Sequence, residues 1–553
     1  MWDPLRAYLA GRDGALALIL LLGLACSAFF PAIADGFFRR VEYLGARFAR
    51  RKSLAVTSLA LMCIALRLSL LAFYPVPIPR VHDEFSNLLL ADTLVHGRLA
   101  NPPHPMHVFL DTFHVNQFPM YVSKYPPGQG AVLALGQLLG SPWIGVLLSA
   151  ALMCGAVLWM LQGWLPHRWA LLGGILVFLQ VGIFSYWTNS YWGGAVSGLG
   201  GALVTGALPR ILRNWRTRDA LILALGVAIL MNSRPMEGMF LCIPVAVVLV
   251  CRIISGARPS PYIAVRNFLL PAGIAVTFAA ALFCYYNWRT TGNALLTPYL
   301  VNEQAYMSTP TLFWQPARPP IHFENAEFDK FYNGWVREQW MLPRTHILRY
   351  LSLTTMKFVY FFLWPELCLP LLAIFWIVRD RRVRFLLVQT VICVSGFFLA
   401  AYFQPHYAAP LLATLFALVV QGIRHIRQWE IAGRAVGLAF SRVIVLAALL
   451  FAPFHRYAVA EDPGPFAIDT RPVFEAQLEA RPGKHLVVVR YSPEHDPGEE
   501  WVYNKADIDG SKVVWAREIA GIDLQPLFTY FKDRDVWLAE PDCTPPRLSP
   551  YVR

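Results

Sequence analysis

The chain has 553 residues, of which 56% are hydrophobic and 15% are charged, and its formal net charge is +13. It is too long for a single soluble core and too apolar for a series of soluble domains. The basic residues stand in short clusters between apolar runs, a pattern that argues against nucleic-acid binding. The sequence therefore predicts a polytopic α-helical membrane protein.

Apolar runs of about 17–25 residues recur along the chain, and each is long enough to cross a bilayer as a helix. The first run is followed, not preceded, by an arginine-rich segment, which favours a membrane anchor over a cleaved signal peptide. We predict about twelve transmembrane helices, at residues 14–33, 53–74, 142–162, 168–186, 191–212, 218–233, 236–254, 266–287, 356–378, 384–402, 407–423 and 437–454.

The basic clusters fall in alternate loops between these runs, which places all of those loops on the cytoplasmic side. The remaining long loops, 75–141 and 288–355, then face outward. We expect a protein of the bacterial inner membrane with its long loops in the periplasm. Its predicted parts are an extra N-terminal helix with a basic loop (1–52), a transmembrane domain (53–454) and a periplasmic domain (455–553).

The C-terminal part changes to a mixed polar composition. Segments 484–491, 512–517 and 535–539 have the pattern of strands, and they alternate with helical segments. This alternation predicts a small extracytoplasmic α/β domain with a partly parallel sheet. The loop S-P-E-H-D-P-G-E-E-W after the first strand either contacts a substrate or packs as a cap, and the sequence leaves both readings open.

The first outer loop begins with R-V-H-D-E-F-S-N at residues 80–87. A carboxylate costs roughly 2.5–3.5 kcal/mol at the centre of a bilayer, so acidic residues beside a span are functional-site candidates. Either Asp83 or Glu84 could take a proton from a hydroxyl group while the other orients that group or a metal. The alternative is a solvated pair after a helix end. Residues 85–97 then predict a helix lying along the membrane interface.

The same loop ends with S-K-Y-P-P-G-Q-G at residues 123–130. Tyr125 precedes a proline and is biased to an extended conformation, whereas 128–139 predicts a short apolar helix. Lys124 would then lie near the N-terminus of that helix, where free N–H groups and the lysine ammonium favour a phosphate. The alternative is a lysine that only reaches the membrane surface.

Other polar residues fall on the same predicted side. Arg234 is a second candidate ligand for a phosphate because Pro235 breaks the helix beside it, although pairing with Glu237 is the alternative. His104, His107 and His114 could join Asp111 around a divalent cation, but H-x-x-H in a loop predicts a metal only weakly. Weaker candidates for substrate binding are Arg80, His82, Asp111, Asn189, Glu303 and His406.

With these residues the sequence resembles the GT-C membrane glycosyltransferases, in particular the bacterial branch of the lipid A aminoarabinose transferase, related to protein O-mannosyltransferases. The resemblance rests on H-D-E at 82–84, K-Y-P-P-G-Q-G at 124–130 and the multi-span layout, over about residues 50–425. It implies a GT-C-like fold with Asp83 as the catalytic base and Glu84 beside it. It also implies that Lys124 binds the donor phosphate, and we predict Tyr125 as a further ligand of that phosphate.

The resemblance also implies an inverting transfer from a polyprenyl-phosphate sugar, without a nucleotide sugar. The helix at 14–33 and the α/β tail depart from the family pattern, so a lipid, a glycan or a protein remains open as acceptor. One alternative is a transporter or flippase of a lipid-linked saccharide, which should show charges at mid-membrane and repeated halves. The sequence shows neither. Another is a non-catalytic partner protein whose tail is the working part.

Overall fold

The structure, a computed structural model, describes residues 11–255, 259–363, 365–430, 433–459 and 467–552. It is mostly helical, with two long loops and a small C-terminal sheet attached to a bundle of apolar helices. Several of these helices are long and apolar enough to cross a membrane, as expected of a multi-pass membrane protein. Within the described residues they number seven: Lys52–Ser69, Pro142–Trp164, Ala195–Asn214, Pro235–Ile254, Pro261–Thr291, Pro405–Ile426 and Val436–Phe454.

The predicted count of twelve spans is not confirmed, although helices lie at all the predicted positions. The helix Thr217–Met231 has only 15 residues. Apolar helices that are also short for a span are Asp13–Phe29, His167–Ile183 and Arg384–Phe397.

The predicted straight span at 356–378 is instead two helices, Ile347–Phe362 and Glu366–Arg379, that meet at an angle of 107°. Pro365 lies at this bend. A proline has no backbone N–H and clashes with the preceding turn, so the first helix cannot continue through it.

The bundle is packed closely because small residues lie where helices cross. At Gly201 in the helix Ala195–Asn214, an added Cβ would lie only 2.0 Å from the carbonyl oxygen of Pro410. The remaining single helices in this part are Arg12–Phe29, Asp35–Ala49 and Val436–Val459. Other helices consist of consecutive segments of different helical type: His167–Val177 and Phe178–Ile183; Pro261–Ala264, Val265–Leu269 and Leu270–Thr291; Glu366–Ala373 and Ile374–Arg379; and Pro405–Leu411 and Leu412–Ile426.

Both long loops contain regular structure. The first loop holds helices His82–Val95, His107–Leu110 and Pro127–Leu138, with a short antiparallel pair of strands, Val115–Asn116 and Val122–Ser123. The second loop forms the helices Pro298–Tyr306, Ala326–Phe328, Asp329–Val336 and Arg337–Thr345. The segment Asp329–Val336 is π-helical.

The two loops are joined by amide hydrogen bonds. Asn116 donates to the carbonyl oxygen of Pro298 at 2.9 Å, and Asn302 donates to the side chain of Asn116 at 2.9 Å. All three residues lie outside the apolar bundle. The two loops therefore pack together as one unit outside the helical bundle.

The C-terminal sheet has four strands in the order Val513–Arg517, Lys484–Val489, Arg534–Glu540 and Arg547–Pro550. The first three are parallel and the last is antiparallel, so the predicted partly parallel sheet is present. The accompanying helices are Ala467–Glu479, Pro497–Glu499 and Gln525–Tyr530.

The sheet shares a hydrophobic core with the first loop. Leu89, Phe109 and Tyr121 of the loop belong to one buried cluster with Leu486 and Val514 of the sheet. In addition, Asp92 accepts a hydrogen bond from the backbone N–H of Ala506 at 2.8 Å. The sheet is therefore held directly against the loop that carries the candidate acidic residues.

Candidate active site

The acidic pair lies in the first turn of the helix His82–Val95, which begins three residues before the predicted start. Negative charge is favourable there because the first backbone N–H groups of a helix point toward it. Glu84 accepts hydrogen bonds from the backbone N–H groups of Arg80 at 2.7 Å, Val81 at 3.1 Å and Tyr191 at 2.8 Å. The Glu84 carboxylate is buried and occupied by the backbone, so it holds the loop in place and does not face a substrate.

Asp83 points the other way, into a cavity. The hydroxyl of Tyr125 donates a hydrogen bond to Asp83 Oδ1. His114 Nδ1 lies 3.1 Å from the Tyr125 oxygen and 3.7 Å from Asp83 Oδ2. A tyrosine hydroxyl has a single hydrogen, and that of Tyr125 is donated to Asp83. His114 Nδ1 must therefore be the donor in its hydrogen bond with the Tyr125 oxygen. Asp83 is thus held by a tyrosine that is itself held by a histidine.

His114 is fixed by its backbone as well as its ring. Its φ angle is +61°, in the left-handed region that a histidine seldom adopts. Its carbonyl oxygen accepts hydrogen bonds from Ser86 Oγ at 2.6 Å and from the backbone N–H of Lys124 at 3.1 Å. Burial lowers the pKa of His114 well below its usual value, and the nearby Lys124 lowers it further. Burial therefore favours the neutral imidazole, and the contact with Tyr125 identifies Nδ1 as the nitrogen that carries its hydrogen.

The motif K-Y-P-P-G-Q-G explains how the loop reaches the bundle. Pro127 occupies the first position of the helix Pro127–Leu138, where a missing N–H costs nothing. Gly128 donates its backbone N–H to the carbonyl oxygen of Asn232 at 2.6 Å, and an added Cβ would come within 2.6 Å of that oxygen. This close approach brings the turn that carries Arg234 up against the segment that carries Lys124.

Two cations line the same cavity as Asp83. Lys124 is only 7% exposed, and its Nζ lies 5.3 Å from the ring centre of Tyr125 and 5.5 Å from that of Tyr299. Burial lowers the pKa of Lys124 to about 8, although Asp83 and Glu303 nearby act in the opposite direction. The alternative of a lysine that only reaches the membrane surface is therefore not supported, because Lys124 is buried between the two loops.

Arg234 lies above the ring of Tyr407, at 4.2 Å from the ring centre, and 3.8 Å from a carboxylate oxygen of Glu237. Arg234 therefore has Glu237 beside it, as one alternative expected, and it also lines the cavity, while its role as a phosphate ligand stays a prediction. At 3.8 Å the contact with Glu237 is longer than a hydrogen bond, which leaves the guanidinium N–H groups available to a ligand.

The cavity has a volume of about 770 Å³, which is within the range of small-molecule sites. Its walls come from four parts of the chain: the first loop, the second loop, the ends of membrane helices and the C-terminal loop at 496–498. Apolar side chains from the helix ends, Val196, Met236 and Phe283, lie on the same lining as the two cations. The site therefore combines a carboxylate, a cationic region and an apolar region.

Three other predicted residues, Asn189, His406 and Arg80, do not line this cavity. Asn189 accepts from Arg67 Nε at 3.0 Å and donates to two backbone carbonyls, so it braces the bundle. His406 is buried with its Nδ1 2.9 Å from the Tyr186 hydroxyl. Neither belongs to the cavity lining, nor does Arg80. These three substrate-binding assignments are not supported by their positions.

Asp111 and Glu303 also have structural partners. Asp111 accepts hydrogen bonds from the Tyr306 hydroxyl at 3.1 and 3.2 Å, and burial raises its pKa to about 7. Glu303 lines the cavity, but its carboxylate accepts from Thr311 and pairs with Arg318 at 3.1 Å. Each carboxylate ties segments of the outer loops together.

The histidines proposed around a metal have separate partners. His104 Nε2 lies 3.1 Å from Asp509, His107 lies against Phe118, and His114 contacts Tyr125. Among the residues that the structure describes, no group of three or more His, Cys, Asp and Glu side chains is arranged to hold a metal ion. The histidine spacing in this loop therefore reflects packing.

His82 has a role that the sequence did not indicate. Its Nε2 donates to the carbonyl oxygen of Pro497 at 2.8 Å, and its ring stacks on Phe113 with 4.4 Å between centres. The residue before Asp83 is therefore anchored to the C-terminal loop. No sequence pattern links residues 82 and 497. The sequence indicated only that the loop after the first strand, which contains Pro497, could contact another part of the protein or a substrate.

No family model and no curated protein matches the sequence. Among solved structures, the chain is similar to the oligosaccharyltransferase of Archaeoglobus fulgidus in its apo form, with 13% identity and a TM-score of 0.47 over 82% of this chain and 63% of that one. The chain thus spans less than two thirds of that archaeal protein. A second structure of the Archaeoglobus fulgidus enzyme, AglB with an inhibitory peptide and a dolichol-phosphate, gives 11% identity and a TM-score of 0.47, covering 89% of this chain and 70% of that one.

The chain is also similar to ArnT from Cupriavidus metallidurans bound to undecaprenyl phosphate, with 13% identity and a TM-score of 0.44 over 88% of this chain and 93% of that one. These neighbours are GT-C glycosyltransferases, the class that the sequence resembles. At such identities and TM-scores a likeness assigns no activity to this chain.

Proposed function

We propose that the protein is an inverting glycosyltransferase of the bacterial inner membrane. In this proposal it moves a sugar from a polyprenyl-phosphate donor to an acceptor of the cell envelope on the periplasmic side. The observation that carries the proposal is that Asp83, Lys124 and Arg234 line one cavity at the ends of the membrane helices. A base, two cations and an apolar region are the groups that this reaction requires.

The donor phosphate would lie on Lys124 and Arg234. An arginine presents several N–H donors in a plane and a lysine supplies a compact charge, and both suit phosphate oxygens. The prenyl chain would leave along Val196, Met236 and Phe283, which come from three membrane helices. This arrangement holds the phosphate at the membrane boundary, where a lipid-linked sugar presents it.

The chemistry is a single displacement. Asp83 accepts the proton of an acceptor hydroxyl while that oxygen forms a bond to the anomeric carbon of the sugar. The bond from the anomeric carbon to the phosphate oxygen breaks, and its electron pair stays on the phosphate beside Lys124 and Arg234. One displacement inverts the anomeric configuration, and no covalent sugar–enzyme intermediate forms.

Tyr125 and His114 are positioning residues in this scheme. The Tyr125 hydroxyl keeps one oxygen of Asp83 occupied, which leaves the other for the acceptor proton. His114 fixes the direction of the Tyr125 hydroxyl through its Nδ1. A carboxylate held by such hydrogen bonds stays oriented toward the acceptor, as a general base must be.

The first test is to purify the Asp83→Asn protein in mild detergent and to measure the masses of its co-purifying lipids. We expect a polyprenyl phosphate that carries a sugar, because the variant binds the donor without consuming it. Added undecaprenyl phosphate should bind both this variant and the wild type, and should bind Lys124→Ala weakly. Binding of ordinary phospholipids alone would reject the proposal. The proposal would also be rejected if the wild type moved a lipid-linked saccharide across the bilayer of vesicles without forming any transfer product.

A further inference from the structure

The cavity that Asp83 lines has two chemically different sets of lining residues. One set contains Lys124 and Arg234, as described above. The other set, which we call the second wall, begins where His114 and His82 contact Phe331 of the second loop, with ring centres 5.9 and 5.1 Å apart. If the sugar donor binds to the two cations, the second wall is left for the acceptor. The acceptor must lie near Asp83, because this base takes the proton of the acceptor hydroxyl.

The second wall begins with an aromatic surface. Phe331 and Trp335 are stacked with 5.5 Å between ring centres and 21° between their planes. Both belong to the π-helical segment Asp329–Val336 and line the cavity, and Trp335 is 51% exposed. Short π-helical segments are frequent at functional sites. The exposed ring of Trp335 therefore faces space that a ligand can enter.

The C-terminal loop forms the edge of this wall. Asp496, Pro497 and Gly498 line the cavity, and His82 holds the Pro497 carbonyl at 2.8 Å. Lys330 Nζ, one turn before Trp335, lies 3.4 Å from the carbonyl oxygen of His495. The exposed carboxylate of Asp496 is therefore near the aromatic surface, and one of its oxygens caps Gly498 N–H at 2.8 Å.

We propose that this wall is the acceptor subsite and that the acceptor group bound there is a carbohydrate. The proposal rests on the proposed function. A sugar ring presents C–H groups to an aromatic face and hydroxyls at its rim, which matches Trp335 bordered by Asp496. A fatty-acyl chain would require a surface without the Asp496 carboxylate. An acceptor phosphate would be repelled by that carboxylate, and Lys330, the cation on this wall, already pairs with Glu327 at 2.9 Å. The C-terminal domain thus supplies part of the active site.

The transfer test uses the full-length protein with donor isolated from the Asp83→Asn variant. Acceptors are three fractions of the cell envelope: delipidated glycan, extracted lipid and protein. We expect product in the glycan fraction. Trp335→Ala should raise the KM for this fraction at least tenfold, Trp335→Phe should retain most of the affinity, and Asp496→Asn should weaken it while keeping the turn capped.

Two matched controls lie in the same loops but outside the cavity lining, Trp314→Ala and Glu494→Ala, and both side chains are exposed. They should leave the KM unchanged. Undecaprenyl phosphate should bind Trp335→Ala as it binds the wild type. A normal KM in Trp335→Ala, or product confined to the protein fraction or to sugar-free lipid, overturns the acceptor assignment.

A second readout separates this inference from the proposed reaction. Oligosaccharides released by acid from the glycan fraction are added to the Asp83→Asn protein, and saturation transfer is measured by NMR. Signals on ring C–H protons that disappear in Trp335→Ala support the carbohydrate subsite even if no transfer is ever observed. Absent signals, or equal signals in both proteins, overturn it.

Discussion

The Tyr125 hydroxyl donates a hydrogen bond to Asp83 Oδ1, which joins the two ends of the first loop across 42 positions of sequence. Tyr125 was expected to contact the donor phosphate, and its hydroxyl instead faces the candidate base. The contact orients the carboxylate within the cavity that also holds Lys124.

We predict that Tyr125→Phe reduces the rate of transfer by about 10- to 100-fold, since hydrogen bonds to charged groups contribute roughly 1.5–3 kcal/mol. The loss should fall on kcat and leave the affinity for undecaprenyl phosphate unchanged, because phenylalanine keeps the ring beside Lys124 and removes only the hydroxyl. Tyr121→Phe is a matched control, as that hydroxyl bonds to the Asn504 carbonyl at 3.1 Å and Tyr121 does not line the cavity. An unchanged kcat in Tyr125→Phe would contradict the positioning role.

His114 allows a sharper test because its hydrogen bond to Tyr125 runs through Nδ1. Asparagine places an amide N–H near the Nδ1 position and tolerates the left-handed backbone, whereas leucine does neither. We therefore expect His114→Asn to keep most of the activity and His114→Leu to lose it. Equal losses in the two variants, measured on folded protein, would show that the ring contributes only packing.

Substitutions of Asp83 and Glu84 should have different effects, one on activity and the other on stability. Asp83→Asn is expected to abolish transfer with little change in thermal stability, because Asp83 faces the cavity. Glu84→Ala should lower stability, since three backbone N–H groups lose their acceptor and a buried unsatisfied donor costs about 1–3 kcal/mol. Thermal unfolding of both variants in detergent checks this, and an unaffected melting temperature in Glu84→Ala would count against it.

The affinity for undecaprenyl phosphate should depend on pH through Lys124. Burial lowers the pKa of this lysine to about 8, so the ligand-free protein loses the positive charge as the pH rises through that value. The affinity should therefore fall above pH 8, and Lys124→Arg should remove this limb because arginine stays charged. Titrations of binding from pH 6 to 10 test this, and a limb that persists in Lys124→Arg would assign the titration to another group.

A buried ion pair supports the C-terminal part of the site. Arg517 donates to Glu500, both side chains are at most 2% exposed, and Arg517 also donates to the Asp111 carbonyl at 3.0 Å. Arg517→Met should destabilise this region by roughly 3–5 kcal/mol because it leaves the buried Glu500 carboxylate without its arginine partner. Hydrogen exchange in residues 484–540 reports the loss. Adding Glu500→Gln should restore part of it, and additive losses would contradict the coupling.

The sequence by itself determined the features that depend on local pattern. Apolar runs predicted the helices, the alternation after residue 455 predicted a partly parallel sheet, and Pro126 with Pro127 predicted the helix that begins there. Asp83 and Lys124 also became candidates in this way, because charge beside an apolar run is conspicuous, and their roles stay predictions. The helices and the sheet could be predicted because helix and strand periodicity and proline chemistry act over a few neighbouring residues.

Only the tertiary structure decided which polar residues share a cavity. Asp83 and Glu84 are adjacent and chemically alike, yet the helix start turns one to the cavity and the other to three backbone donors. The contact of His82 with Pro497 spans 415 positions of sequence. Such relations depend on how distant segments pack, and a linear pattern does not encode which of several buried polar groups will satisfy one another.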